Sequence, residues 1–484
     1  MTSATAPAGD AQDAAAEITP ARAEAELARV EAEHDLLQYQ VDGWCVWPLL
    51  RLAVGKQLQR RSSAAQDPMT RGQRLRLAAG DLAGAARLRR SDVLIKSLVS
   101  GLADHDGGAY RDVWFHELLE AFPGAVKIDG VNSPSFLARR ARARHPGAMT
   151  TELFGMAAGV LGRFRPPAGV ERAAAGLAEA LAAGFGPGLV PLPLVRATLL
   201  RFYWTRRAYG LLLARVRPRW VFTADPGENA LAAAARERGI RVLEMQHGLV
   251  YGDHHAYGWT GYAVPYRGRM PVPDRVLVYG EHWRRALARG GFWGDALRVV
   301  GSLRMDAYRA RRGPPGRGGE RMVLVTSQDI ETERLAAFLA EFLRLEPDPG
   351  LRLVVKLHPA SEPRGDAYRA ALGSDPRASV VAGAGESTFD LLLRAHLHLS
   401  ISSTCHYEAL GLGVATAVLP FATHQIVAPL WEAGHATLLS TPGDLRALLA
   451  GPLPRVGEEV SGYYFQPGAL GNLMALLADE GARD

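Results

Sequence analysis

Short apolar runs recur along most of this chain, each ending abruptly in polar residues and most followed by a stretch with helical spacing. Four lie in the first half, at residues 92–98, 125–128, 219–223 and 241–245. Further runs follow at 275–279, 297–300, 322–326, 351–357, 379–381, 397–400, 415–419 and 437–439. They are rich in Val, Leu and Ile and too continuous for a half-exposed antiparallel strand, so they read as strands buried on both faces. Helical spacing fills the intervals 229–238, 331–345 and 387–395, with Gly239 as a stop and Ser387 as an N-cap. Strand, loop, helix, strand order implies parallel sheets with right-handed crossovers. Residues 265–273 are rich in Pro, Gly and Arg and read as a linker. The expected organisation is a disordered or helical tail at 1–33, one Rossmann-like domain at 34–270, a second at 271–460, and a final helix at 461–484 that crosses back. The fold class is α/β, two such domains facing a cleft, with a helical N-terminal extension.

In parallel sheets, ligands collect at the carboxyl ends of the strands. Several of these ends carry distinctive chemistry. Lys356, His358 and Pro359 close the 351–357 run. Ser402, Ser403 and Thr404 close the 397–400 run, with Glu408 one helical turn further on. Hydroxyls and free N–H groups at a helix start favour an anion, and a histidine can donate to a phosphate oxygen. Ser302 and Ser327 follow two more strands of the same series. Together they point to a phosphorylated ligand, a nucleotide above all. In the first half, Gln246-His247-Gly248 closes the 241–245 run, and Asp225 and Glu228 follow the 219–223 run. Asp104-His105-Asp106 lies in a loop after the first run. These residues are the candidates for a general base, usually Asp, Glu or His, and for contacts to a second substrate. N-capping of the 229–238 helix is the competing reading of Asp225 and Glu228.

Two cysteines, Cys45 and Cys405, allow no disulfide framework and suggest a reducing cytoplasm. No signal peptide is evident, and no apolar run reaches the length of a membrane span. The net charge of +6 is uneven. Arg51, Lys56, Arg60, Arg61, Arg71, Arg74, Arg76, Arg87, Arg89 and Arg90 face only Asp67 and Asp81, and a second run holds Arg139, Arg140, Arg142 and Arg144. Such charge reads either as an Arg-rich solvated surface or, functionally, as attraction to an anionic membrane surface or a polyanionic acceptor. Nucleic acid is not expected, because no aromatic-studded or zinc-ligand pattern accompanies it. No metal site is expected: Asp104-His105-Asp106 is the one paired-carboxylate motif, and it lies far from the phosphate-binding candidates. The aromatic stretch from Tyr39 to Trp47 reads as a buried hook.

Gln246-His247-Gly248, Lys356-Leu-His358-Pro359 and Ser402-Ser403-Thr404 with Glu408, in that order across a two-domain chain, resemble the GT-B-type glycosyltransferases of bacterial surface polysaccharides. The likeness covers about residues 92–480 and extends to capsule-synthesis Kdo transferases, bacterial sialyltransferases and CDP-glycerol glycerophosphotransferases. It implies transfer of a sugar from a nucleotide donor, CMP- or CDP-type before UDP or GDP, to a polysaccharide or glycolipid acceptor. It further implies a donor site on the second domain (Lys356, His358, Pro359, Ser402, Ser403, Thr404, Glu408, Ser302, Ser327), and an acceptor site on the first (Gln246, Gly248, Asp104, His105, Asp106). His247, Asp225 or Glu228 would be catalytic. No cofactor or metal is implied, the nucleotide sugar being a co-substrate. The alternatives are a non-hydrolysing nucleotide-sugar 2-epimerase, which needs no acceptor, and an inactive glycan-binding module.

Overall fold

A computed structural model of the protein describes residues 19–59, 68–99, 105–106, 108–252, 254–312, 321–328, 330–358, 364–383 and 386–482. Seven strands form the first sheet: β1 (Val93–Leu98), β2 (Val126–Gly130), β3 (Met149–Thr150), β4 (Trp220–Thr223), β5 (Arg241–Met245), β6 (Arg275–Val278) and β7 (Leu297–Val299). Six form the second: β8 (Arg321–Thr326), β9 (Leu351–Lys356), β10 (Ala378–Val381), β11 (Leu397–Ser400), β12 (Ala415–Val418) and β13 (Thr437–Leu438). Every pairing in both sheets is parallel. The spatial orders are β3-β2-β1-β4-β5-β6-β7 and β10-β9-β8-β11-β12-β13. Each is the doubly wound order with a switch point beside its first strand, where a crevice opens at the carboxyl ends. Val323, Leu324 and Val325 on β8 are fully buried, which explains the unbroken apolar run.

The expected boundary at residue 270 does not divide the sheets. β6 pairs with β5 and β7 with β6, so the strands expected to open the second domain close the first. The Pro-rich stretch before them is instead a 3-10 segment, Gly261–Arg269, within the first domain. Its Arg267 carbonyl accepts from Arg236, and its tyrosines, Tyr262 and Tyr266, donate to Asp35.

The helices used below are α1 (Pro20–His34), α2 (Pro48–Leu58), α3 (Arg71–Arg87), α4 (Pro134–Ala141), α5 (Glu152–Phe164), α6 (Ala168–Phe185), α7 (Leu192–Val216), α8 (Leu303–Arg311), α9 (Cys405–Gly411), α10 (Glu458–Tyr464) and α11 (Ala469–Gly481). Leu473 and Leu477 of α11 pack with Ile95, Phe222, Leu243 and Leu277 of the first sheet, and Glu480 ion-pairs with Arg241 and Arg275. The final helix therefore lies on the first domain. The crossing segment passes so close that a Cβ on Gly301 would sit 2.2 Å from the Gln466 carbonyl. Gly301 also has φ +96°, which favours glycine twice over.

The aromatic hook is buried. Arg51 of α2 is 0% exposed, donates to Glu31 (2.5 Å) and Glu24, and stacks over Trp259. Trp47 donates to the same Glu31 at 2.8 Å, and His255 meets Glu24 at 2.8 Å. Arg51, counted with the surface charge from sequence, is thus interior charge compensated by two acids, while Arg60 and Arg61 lie outside the described residues. No helix among the described residues is long and apolar enough to cross a membrane.

Candidate active site in the interdomain cleft

A cleft of about 610 Å³ lies between the two sheets, at the carboxyl ends of their strands. From the second domain it is lined by Ser327, Lys356, His358, Ser403, Thr404 and Glu408; from the first, by Gln246, His247, Gly248 and Ser302, which follows β7 of the first sheet rather than a strand of the second domain. Ten of the candidate residues, drawn from positions 246 to 408, are therefore brought to one space.

On the second domain the geometry follows from strand ends held in register. The Ser327 hydroxyl accepts from the His358 backbone N–H at 3.1 Å, tying the end of β8 to the end of β9. His358 itself is exposed to the cleft. The Lys356 ammonium donates to the Gly383 carbonyl at 2.6 Å, so it fastens the loop after β10 while adding positive charge to the wall. Ser302 N-caps α8 through Met305 N–H. Ser403 accepts from the Cys405 N–H at 3.2 Å, within hydrogen-bond range but long. At seven residues α9 is short, so hydroxyls rather than a helix dipole are the main offering to an anion here. Beneath this loop, His398 bonds Thr326 (2.9 Å) and Thr416 (2.8 Å), and His406 bonds Thr416 (2.7 Å). Burial lowers both imidazoles well below their ordinary range, His406 to about 3, so the network is neutral and holds the ends of β8 and β11 together. His406 packs rather than faces ligand. Burial raises the Glu408 carboxyl, against the opposing pull of Arg304.

On the first domain, Gln246 is a shaping residue. Its side chain donates to the Gly248 carbonyl at 2.8 Å and accepts from the Tyr279 N–H at 2.9 Å, which fixes the turn that presents His247. Burial lowers the His247 pKa below the ordinary 6.5, opposed by Asp225, so the ring is neutral at pH 7. No hydrogen-bond partner for its buried Nδ1 occurs among the described residues. A neutral imidazole with an unused nitrogen, in a cleft, is equipped to accept a proton.

Other candidates do not reach the cleft. Glu228 forms an ion pair with Lys96 (2.9 Å) and accepts from Tyr209 (2.9 Å). Asp225 accepts from the Gly227 N–H at 2.7 Å in a local turn. N-capping does not explain Glu228 either: it occupies the cap position of the Asn229–Arg236 helix without a side-chain cap bond. Ser402 turns away, bonded to Gln328 (3.0 Å) and Thr423 (2.7 Å). Asp104 and Pro359 lie outside the described residues, as do the side chains of His105 and Asp106. Among the described residues one His–Glu–His group, His116, Glu120 and His145, has the composition of a metal site, and none of the three lines the cleft.

The cleft also contains Arg304, Tyr279, Trp283, Tyr407 and Phe389, and on the first domain Trp114, Ser133, Ser135 and Phe136, none of them singled out from the sequence, together with Arg139, which the sequence places in a basic surface run. Arg304 lies over Phe389, 4.0 Å from its centroid. A signal existed for the serines: Ser133-Pro134 stands three residues beyond the end of β2, an N-cap and N1 pair at a carboxyl-end crevice.

No family model matches the chain, and no curated protein matches it. Solved structures do. A UDP-N-acetylglucosamine 2-epimerase matches with TM-score 0.50 and 14% identity, over 82% of this chain and 98% of that one. The UDP-GlcNAc 2-epimerase of Methanocaldococcus jannaschii matches with TM-score 0.50 and 14% identity, over 80% and 99%. The fold is of the GT-B type. At this identity the likeness establishes the architecture, two doubly wound domains around a cleft, and leaves the chemistry to the residues.

Proposed function

We propose that the protein is a glycosyltransferase that moves a sugar from a nucleotide donor to a polysaccharide or glycolipid acceptor. The observation that carries the reading is His247: a neutral ring with an unused Nδ1, sharing one cleft with His358, Ser403, Thr404 and Arg304. His247 takes the proton of the acceptor hydroxyl, and the acceptor oxygen bonds to the anomeric carbon. The bond from that carbon to the donor phosphate breaks, and the phosphate leaves with the electron pair. Donors from His358, Ser403 and Thr404 and the charge of Arg304 and Lys356 meet the developing negative charge. Glu408 contacts the nucleoside hydroxyls. Trp114, Phe136 and Arg139 form the acceptor wall. In this reading no metal or other cofactor is needed, and turnover persists under chelation.

The sequence resemblance favours CMP- or CDP-activated donors, and the structural likeness adds UDP-GlcNAc as a competitor. The likeness to two 2-epimerases favours epimerisation as the second reading. Radiolabelled CMP-, CDP-, UDP- and GDP-sugars with glycan and glycolipid acceptors separate the two. Acceptor-dependent product is the expected result. Epimerised sugar without acceptor selects the second reading, and nucleotide hydrolysis or binding to none of the donors removes both.

A further inference from the structure

Helices α5 and α7 form an antiparallel pair that runs past the carboxyl end of the first sheet. The Phe154 ring meets Tyr209 at 5.2 Å, and the Tyr209 hydroxyl reaches Glu228 just beyond the end of β4. Further out, Gly162 of α5 faces the Leu200 side chain of α7. From Tyr209 back to Leu192, α7 continues for about 25 Å. The end of α5 and the start of α7 therefore project on the side where the cleft lies.

That projection carries apolar side chains that a soluble surface ordinarily hides. Phe164 is 76% exposed, Val160 58%, Leu192 and Leu194 46% each, and Leu161 38%. Exposed Arg163 and Arg165 interleave with them. Residues 159–169 and 186–198 contain no Asp or Glu. The acid nearest in sequence, Glu171, is bound by Arg196 at 2.8 Å. Apolar residues able to enter an acyl boundary, flanked by the exposed guanidinium groups of Arg163 and Arg165 and with Glu171 already engaged by Arg196, complement one kind of surface: a bilayer with anionic headgroups.

We propose that this tip seats the protein on anionic phospholipid membranes. The attachment places the bilayer on the cleft side of the first domain and does not depend on the reaction performed there. It also moves the expected membrane contact away from the basic run at 51–90, where Arg51 is interior and Asp81 is buried against Thr150.

Flotation with vesicles tests it. Wild type should float with phosphatidylglycerol–phosphatidylcholine vesicles and not with phosphatidylcholine alone. Leu161→Ser with Phe164→Ser should lower partitioning more than about tenfold, and Arg163→Glu with Arg165→Glu about thirtyfold or more. Leu211→Ser, which removes a leucine 76% exposed nearer the other end of α7, should change nothing. Melting temperatures equal to wild type would show the variants folded. Equal flotation of wild type and tip variants, or equal binding to neutral vesicles, overturns the proposal. So does loss of self-association in sedimentation velocity without loss of flotation, which would make the occupant a second copy of the chain.

Discussion

The two sheets share one strand order but use their switch points differently. In the second domain the ends of β8, β9 and β11 open into the cleft through Ser327, His358 and Ser403. In the first, the corresponding ends of β1 and β4 are closed on themselves: Lys96 of β1 is 4% exposed and ion-paired with Glu228, which Tyr209 also holds. The cleft takes first-domain groups from the end of β5, one strand further along, and from the segments after β1 and β2 that carry Trp114, Ser133 and Phe136. A polar strand end is therefore not a ligand site by virtue of topology. A charged group with a complete internal shell is committed to structure, and the informative group is the one left incomplete, as His247 is.

The sharpest break of this comparison is at His247. His247→Asn is expected to lower kcat/KM about 10²- to 10⁴-fold, the range of a general base, while leaving nucleotide affinity unchanged. The pH profile gives the sign. Because burial holds the pKa below 6.5, the neutral, competent ring persists as pH falls through 6.5 and is lost only below it. A wild-type acidic limb centred at or above 6.5 would remove His247 as the base.

Glu244, two residues before Gln246 on β5, sharpens the structural side. It is 1% exposed, accepts from Tyr257, and burial pushes its carboxyl up to about 8. A raised carboxyl is protonated in the fold and ionised in the unfolded chain above pH 4.5. Its contribution to stability is full below 4.5 and is lost as pH rises through about 8. Denaturant titrations should show a loss on the order of 4 kcal/mol across that window, and Glu244→Gln should flatten it. An unchanged slope in the variant would mean that Glu244 ionises normally.

Closure of the first switch point is tested by Glu228→Gln, which keeps the shape and strands the Lys96 ammonium. The expected cost is about 3 kcal/mol, read as a lower urea midpoint at constant m. Lys96→Met with Glu228→Leu should recover most of it. A stable, folded Glu228→Gln with lost turnover would instead return Glu228 to catalysis.

The sequence carried much of this arrangement because buried parallel strands are continuous apolar runs, and their polar ends stand out against them. It misplaced the domain boundary because Pro265, Gly268 and Pro271 look like a linker whether they join domains or fold tightly inside one. Strand pairing of β6 with β5 is a tertiary fact, invisible to local pattern. The sequence likewise grouped Ser402 with Ser403 and Thr404 as a phosphate ligand, because the partners that turn it away, Gln328 and Thr423, are remote in sequence. Arg304 was missed, and Arg139 was read as surface charge, for the same reason: each lies on a helix whose approach to the cleft depends on how the sheets face each other.

Ser402 and His358 make the finest test, because both were read as phosphate ligands and only His358 faces the cleft. His358→Ala removes an exposed side chain, so melting should be unaffected, while nucleotide affinity should fall about tenfold to a hundredfold, the worth of a hydrogen bond to a charged group. Ser402→Ala leaves Gln328 and Thr423 without their shared hydroxyl in a nearly buried position. It should cost about 1–2 kcal/mol of stability with affinity intact. Calorimetric titration beside thermal melts reads both. If Ser402→Ala weakened binding as much as His358→Ala, position on the strand end would matter more than exposure to the cleft, and the contrast between the two switch points would lose its basis.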